Sequence, residues 1–180
     1  MKSTRTLNLD ELARLTPNIS PIQCNYFAEA CKIALENQAH ASSINLLVKG
    51  DFDTSFQITW ENITEKKGWK EPRTIAENGN IAIAFLLILE LTEYQLIQQA
   101  VIGTGFDYWL GYKAKNEVFD EENFLNARLE VSGINKARQG IINRRIQQKI
   151  RQVGSTDYLN IPAYVVVTEF GTPISVITQK

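Results

Sequence analysis

Apolar and polar side chains alternate without a break from residue 125 to residue 132. Leu125, Ala127, Leu129 and Val131 fall on one side, Asn126, Arg128, Glu130 and Ser132 on the other. A strict period of two predicts a strand with one buried and one polar face. The segment 106–113 repeats the pattern, with Phe106, Tyr108, Leu110 and Tyr112 against Asp107, Trp109, Gly111 and Lys113. Each strand therefore places one carboxylate, Asp107 or Glu130, opposite its apolar row, and the two acids are expected to meet at one polar site.

The rest of the chain supplies the surroundings. Residues 8–15 read as a short helix. Ser20 and Pro21 make an N-cap and first-turn pair for a helix to about Gln38, whose apolar side is Cys24, Phe27, Ala28, Cys31, Ala34 and Leu35. Runs at 44–48 and 52–60 predict a hairpin across Lys49-Gly50-Asp51. Residues 62–72 form a polar loop, where Lys66, Lys67 and Lys70 serve either as solvated surface or as binding groups. Thr74-Ile75-Ala76-Glu77 matches a capping box, opening a helix to about Leu91 that is apolar nearly all round and so must be buried. Gly79 weakens it by roughly 1 kcal/mol relative to alanine, which points to close backbone packing or to contact with something else. Residues 95–102 predict a strand leading through Gly103-Thr104-Gly105 into the Asp107 strand.

After Ser132 a helix over about 135–153 carries an apolar stripe of Ile134, Ala137, Ile141, Ile142, Ile146, Ile150 and Val153. Its other face bears Lys136, Arg138, Arg144, Arg145, Lys149 and Arg151, with no acid between Val131 and Thr156. Residues 163–170 are a buried strand, turned at Gly171-Thr172-Pro173 into a closing edge strand over 174–178. From residue 74 the order is helix, strand, strand, strand, helix, strand. This predicts an α/β (α+β) chain with a mixed central sheet flanked by helices.

Composition narrows the chemistry. A length of 180 residues suits a single domain over 1–180, with 1–72 a helix-and-hairpin extension and 73–180 the core. A net charge of -1 with 22% charged residues excludes a generally basic nucleic-acid binder but leaves the local basic helix. His40 is the one histidine, so zinc sites and histidine-based nucleophilic catalysis lack their parts. Cys24 and Cys31 sit about 10 Å apart on one helix, too far for a disulfide, and read as small core residues in a reducing compartment. With no leader-like start and no apolar run of about 18 residues, a soluble cytoplasmic protein without membrane contact is expected. GTGFDYWLG is no dinucleotide fingerprint, because its third glycine is missing and a strand stands where a helix should open.

The element order over residues 74–170, with Asp107 at the start of the second strand and Glu130 inside the third, resembles the restriction-endonuclease-like family of PD-(D/E)XK nucleases. The resemblance implies an αβββαβ core and a magnesium-dependent nuclease that cleaves DNA phosphodiesters. It makes Asp107 and Glu130 metal ligands and catalytic residues, with Glu77 as an additional acidic ligand. The family places a lysine two residues after the second acid, and this chain has Ser132 there. Lys113 lies about 20 Å along the strand from Asp107, so the lysine's role passes to Lys136 or Lys149 on the following helix, with Lys136 taken as the catalytic residue. Arg138, Arg144, Arg145, Lys149 and Arg151 would hold the nucleic-acid backbone.

The same residues have plainer uses. Asp107 can satisfy backbone donors after the Gly-Thr-Gly turn, Glu130 can pair with Arg128 or the basic helix, and Glu77 can cap its helix. The basic face can be merely solvated, and Trp109 merely buried. The alternative to a nuclease is an inactive relative serving as a protein-interaction or nucleic-acid-binding subunit, with a homo-oligomer or another protein as partner.

Overall fold

A helix that is apolar on every side needs protein on every side. In the computed structural model α3 (Pro72–Leu91) has it, packed between α2 (Pro21–Asn37) and the central sheet. The structure describes residues 5–63 and 65–180. Met1–Thr4 and Thr64 lie outside it, and with them the opening positions judged for a leader and one position of the loop 62–72. Gly79 marks the closest approach of the two helices, where a Cβ would sit 2.8 Å from Cys31 Cα. By length and composition α3 could cross a membrane, but 61% of its most apolar stretch is buried inside the protein. Its apolar surface is therefore taken up by the core.

The helix begins at Pro72, two residues before the expected capping box. Proline at the first position gives up a donor that has no partner there anyway, and Glu71 caps the turn by accepting from the Arg73 N–H at 3.0 Å. Glu77 thus lies a full turn inside the helix and does not cap it.

Among the described residues eight strands form one mixed sheet, in the order β1-β3-β2-β8-β7-β6-β5-β4. They are β1 (Thr6–Asn8), β2 (Ser43–Gly50), β3 (Thr54–Thr59), β4 (Tyr94–Gln99), β5 (Tyr108–Tyr112), β6 (Ala127–Ile134), β7 (Ala163–Glu169) and β8 (Ile174–Gln179). β4, β5 and β6 are antiparallel neighbours, whereas β6 and β7 are parallel and joined by α4 (Gln139–Val153). α2 and α3 cover one face with the larger apolar core. α4 covers the other, with Ile142, Ile146 and Val153 packed on Val165, Val167 and Phe106. The α/β class with a central mixed sheet is as the sequence predicts.

Three expectations change. Residues 174–178 are not an edge: β8 pairs antiparallel with β7 and parallel with β2, so the N-terminal hairpin continues the core sheet. Residues 6–8 form a strand parallel to β3 before a 3-10 turn (Leu9–Glu11) and the four-residue α1 (Leu12–Leu15). α4 starts at Gln139 because the chain first turns, with Ala137 N–H held by the buried Glu169 carboxylate at 3.1 Å, and Ile141 falls outside the apolar stripe at 50% exposure.

Candidate functional site

The site lies where the pairing of β5 with β6 stops. Only Tyr108–Leu110 pair with Ala127–Leu129, and one more step in that register sets Asp107 opposite Glu130. Beyond this point β6 runs on with an open edge, whose N–H groups need acceptors. Carboxylates supply them: Asp107 Oδ2 accepts from Val131 N–H and Glu77 Oε2 from Gly133 N–H, each at 2.9 Å. Gly133 permits the second contact, since a Cβ there would overlap the Ala76 carbonyl oxygen. The bare backbone of β6 lets α3 settle onto it and carries Glu77 to the sheet edge.

Helices on both faces leave the polar row of β6 buried as well as the apolar one. Arg128 is 2% exposed, and Glu130 and Ser132 are fully buried. Arg128 does not pair with Glu130. Its guanidinium donates to Val153 O at 3.1 Å, Thr156 Oγ1 at 2.7 Å and Ile161 O at 2.7 Å, tying the end of α4 to the sheet.

Glu130 Oε1 instead accepts from the Lys149 ammonium and from Gln152 Nε2, the latter at 2.9 Å, while its buried Oε2 has no partner among the described residues. Burial pushes the Glu130 carboxyl up to about 8. The charge of the neighbouring Asp107 adds to the rise, and Lys149 opposes it.

α4 contributes a second cation one turn earlier. Arg145 and Lys149 are four residues apart and share a helix edge. Arg145 Nη1 donates to Ser132 Oγ at 2.7 Å and to Glu77 Oε1 at 3.2 Å, and Ser132 Oγ lies 3.2 Å from Glu77 Oε2. A cavity of about 250 Å³ opens beside this cluster, walled by Glu77, Asn78, Gln99, Asp107, Val131 and Lys149, with the buried Glu130 and Ser132 behind its wall. Glu77 and Arg145 also wall a neighbouring cavity of about 380 Å³ that contains Arg73.

The predicted site residues thus divide. Asp107 and Glu130 come together, and Lys149 stands beside them. Lys136 does not. Its exposed side chain lies past the far end of β6, where a Cβ on Gly171 would meet Lys136 Cγ at 2.9 Å. Glu77 reaches the same cavity but is spent on Ser132, Gly133 and Arg145, and among the described residues no group of three or more His, Cys, Asp or Glu side chains could hold a metal ion. The basic helix face also splits: Arg138, Arg144 and Arg151 point to solvent, whereas Arg145 and Lys149 turn inward. At 100° per residue these two border the apolar stripe, and Arg144 and Arg151 fall roughly opposite. Trp109 is half-buried, edge-on to Phe106 at 4.7 Å. Gln152 and Gln99 were not foreseen. The spacing of Gln152 from Lys149, three residues on one helix, is the one signal that could have found it.

No family model matches the chain, and neither a curated protein nor a solved structure matches it.

Proposed function

We propose that this protein is a magnesium-dependent nuclease that hydrolyses DNA phosphodiesters at Asp107, Glu130 and Lys149. The observation that carries the reading is the Glu130 carboxyl: fully buried, beside a second acid, backed by a lysine, and with one oxygen unpartnered. Burying such charges costs more than an apolar packing of the same volume. Strongly perturbed groups beside a cavity concentrate at functional sites.

The donor set fits a hard cation. Magnesium takes one or two carboxylates and keeps several waters, so the Asp107–Glu130 pair suffices without a third acid. When bound there, it would neutralise charge developing on a phosphate in the displacement. Lys149 Nζ, steadied by Glu130 and Gln152, is placed to hold a water or a phosphate oxygen in the cavity. This gives the chain a lysine at the site although Ser132 occupies the position two after the second acid. Arg145, whose side chain is 28% exposed, and Arg73 supply charge for the flanking phosphates. The order α3-β4-β5-β6-α4-β7, antiparallel up to β6 and then parallel, agrees with the restriction-endonuclease-like resemblance. Cys24 and Cys31, both buried and unpaired, suit a cytoplasmic setting.

One observation favours a second reading, a nucleic-acid-binding subunit without cleavage. Asp107 and Glu77 already satisfy the β6 edge and need no ion to do so. Incubation of labelled single- and double-stranded DNA with magnesium, and calorimetric titration of magnesium into the protein, separate the two. The nuclease reading expects magnesium-dependent cleavage that falls at least ~100-fold in Asp107→Asn, Glu130→Gln and Lys149→Met. Cleavage retained in the two acid variants overturns it. No cleavage and no magnesium binding, together with DNA affinity that drops steeply with salt, selects the binding subunit.

A further inference from the structure

A third cavity, of about 510 Å³, adjoins the start of α3 on the side facing α2. Its walls include Tyr26, Trp69, Lys67, Lys70 and Thr74. It lies within the roughly 300–1,000 Å³ range of pockets that take small ligands or single groups of larger ones. Two aromatic rings line it, with centroids 4.9 Å apart and planes tilted by 33°. Both are held in place: Trp69 Nε1 donates to Glu29 Oε1 at 3.0 Å, and Tyr26 Oη accepts from Asn78 Nδ2 at 3.3 Å. Tyr26 is nonetheless 43% exposed. Rings fixed in this way offer a stacking face at little further cost in side-chain freedom.

One side chain links this cavity to the candidate active site. Asn78, which holds the Tyr26 hydroxyl, is also a wall of the cavity over Asp107 and Lys149. Thr74 and Asn78 lie one turn apart on the exposed side of α3, with Glu77 beside them, so the two cavities flank a single strip of helix surface. Their carboxylates are engaged locally, Glu29 by the Trp69 indole and Glu71 by the Arg73 N–H. Among the described residues Lys70 and Arg73 have no carboxylate partner and stand along the same strip.

We propose that this strip is the floor of a track for an unpaired nucleic-acid strand, in which the Tyr26–Trp69 pair stacks one base while the backbone beside it runs to Lys149 at the cavity walled by Asp107. The proposal rests on the nuclease reading above and names its substrate class, a single-stranded segment or overhang. Aromatic faces take any base, whereas the cations follow the backbone, so binding would tolerate sequence and weaken with salt.

The test is fluorescence anisotropy of a labelled thymidine oligomer of about twelve nucleotides, run with EDTA so that cleavage is silent, beside the uridine oligomer and a blunt duplex. Trp69→Ala is expected to weaken binding of a single strand about tenfold or more, the loss of one stacked base, and to leave the duplex unchanged. Trp69→Phe should stay within about threefold of wild type because it keeps a stacking face, and Lys70→Glu, on the surface, should weaken binding about tenfold. A loss with thymidine alone or uridine alone assigns the sugar and supports the track. Equal binding of both oligomers by wild type, Trp69→Ala and Lys70→Glu overturns it, as does equal weakening of single strand and duplex. Should Trp69→Ala not fold, Lys70→Glu and Trp69→Phe carry the decision. Cleavage by Asp107→Asn, read separately with magnesium, is the control on the underlying reading: its retention would count against the nuclease reading and not against the stacking.

Discussion

Replacing Glu130 by glutamine separates a functional acid from a structural one. Glu130 is fully buried, with Oε1 bonded to Lys149 and Gln152, Oε2 bonded to nothing, and Asp107 adjacent. Glutamine keeps the shape and an acceptor for Lys149 and Gln152, removes the like charge, and brings an NH₂ that can donate to Asp107. Two unit charges about 4 Å apart at an effective dielectric of about 20 repel by roughly 4 kcal/mol. An unsatisfied buried polar atom costs about 1–3 kcal/mol. Against these gains, Lys149 loses a charged partner, though its side chain is 17% exposed and can turn to water.

The net expectation at pH 8.5 without metal is a stabilisation of about 2 kcal/mol, or about 4–8 °C in Tm for a chain of this size. The pH dependence follows from the raised carboxyl. In the unfolded chain Glu130 titrates at its ordinary value of 4.5, and in the folded protein at about 8. Between those values the folded state holds a proton that the unfolded state has released. Wild-type stability is therefore full below 4.5 and is lost progressively as pH rises through about 8. At pH 5 the folded-state acid is neutral and only the ionisation of the unfolded chain remains, so the glutamine variant should melt within about 3 °C of wild type. Thermal unfolding by circular dichroism in EDTA at pH 5 and pH 8.5 gives all four values. A variant less stable than wild type at both pH values, by the same margin, would make Glu130 a structural partner of Lys149 and refute the reasoning.

Two further substitutions probe what holds the site together. Gly133→Ala drives a Cβ into the Ala76 carbonyl oxygen and should cost about 3 kcal/mol or more in denaturant unfolding, because backbone has to move. A loss below about 1 kcal/mol would show that α3 can slide off β6. Arg128→Met removes three hydrogen bonds that tether the end of α4 and should cost about 3 kcal/mol. Amide exchange should rise first at Val153 and Thr156, and protection unchanged there would contradict the tether.

Much of the fold was legible because burial writes itself into sequence period. The alternation over 125–132 predicts β6 and sets Arg128, Glu130 and Ser132 on one side, and the amphipathic stripe of α4 predicts a helix with one face packed on the sheet. The all-round apolar character of α3 predicts a helix with neighbours on every side. The edges of the sheet were not legible. Whether residues 174–178 end it or continue it depends on where β2 lies in space, and no local pattern records that.

The site divides in the same way. The chain by itself determined that two acids from neighbouring strands share a side, because side-chain direction alternates with the backbone. Only the tertiary structure decided which cation joins them. Lys136 is closer to Glu130 in sequence, but the turn before α4 carries it past the end of the sheet. Helical rotation brings Lys149 back over Glu130 instead. Only the tertiary structure could move Glu77 from a cap to the open edge of β6. The strand's need for acceptors arises where its pairing with β5 ends, and that endpoint is a property of the assembled sheet.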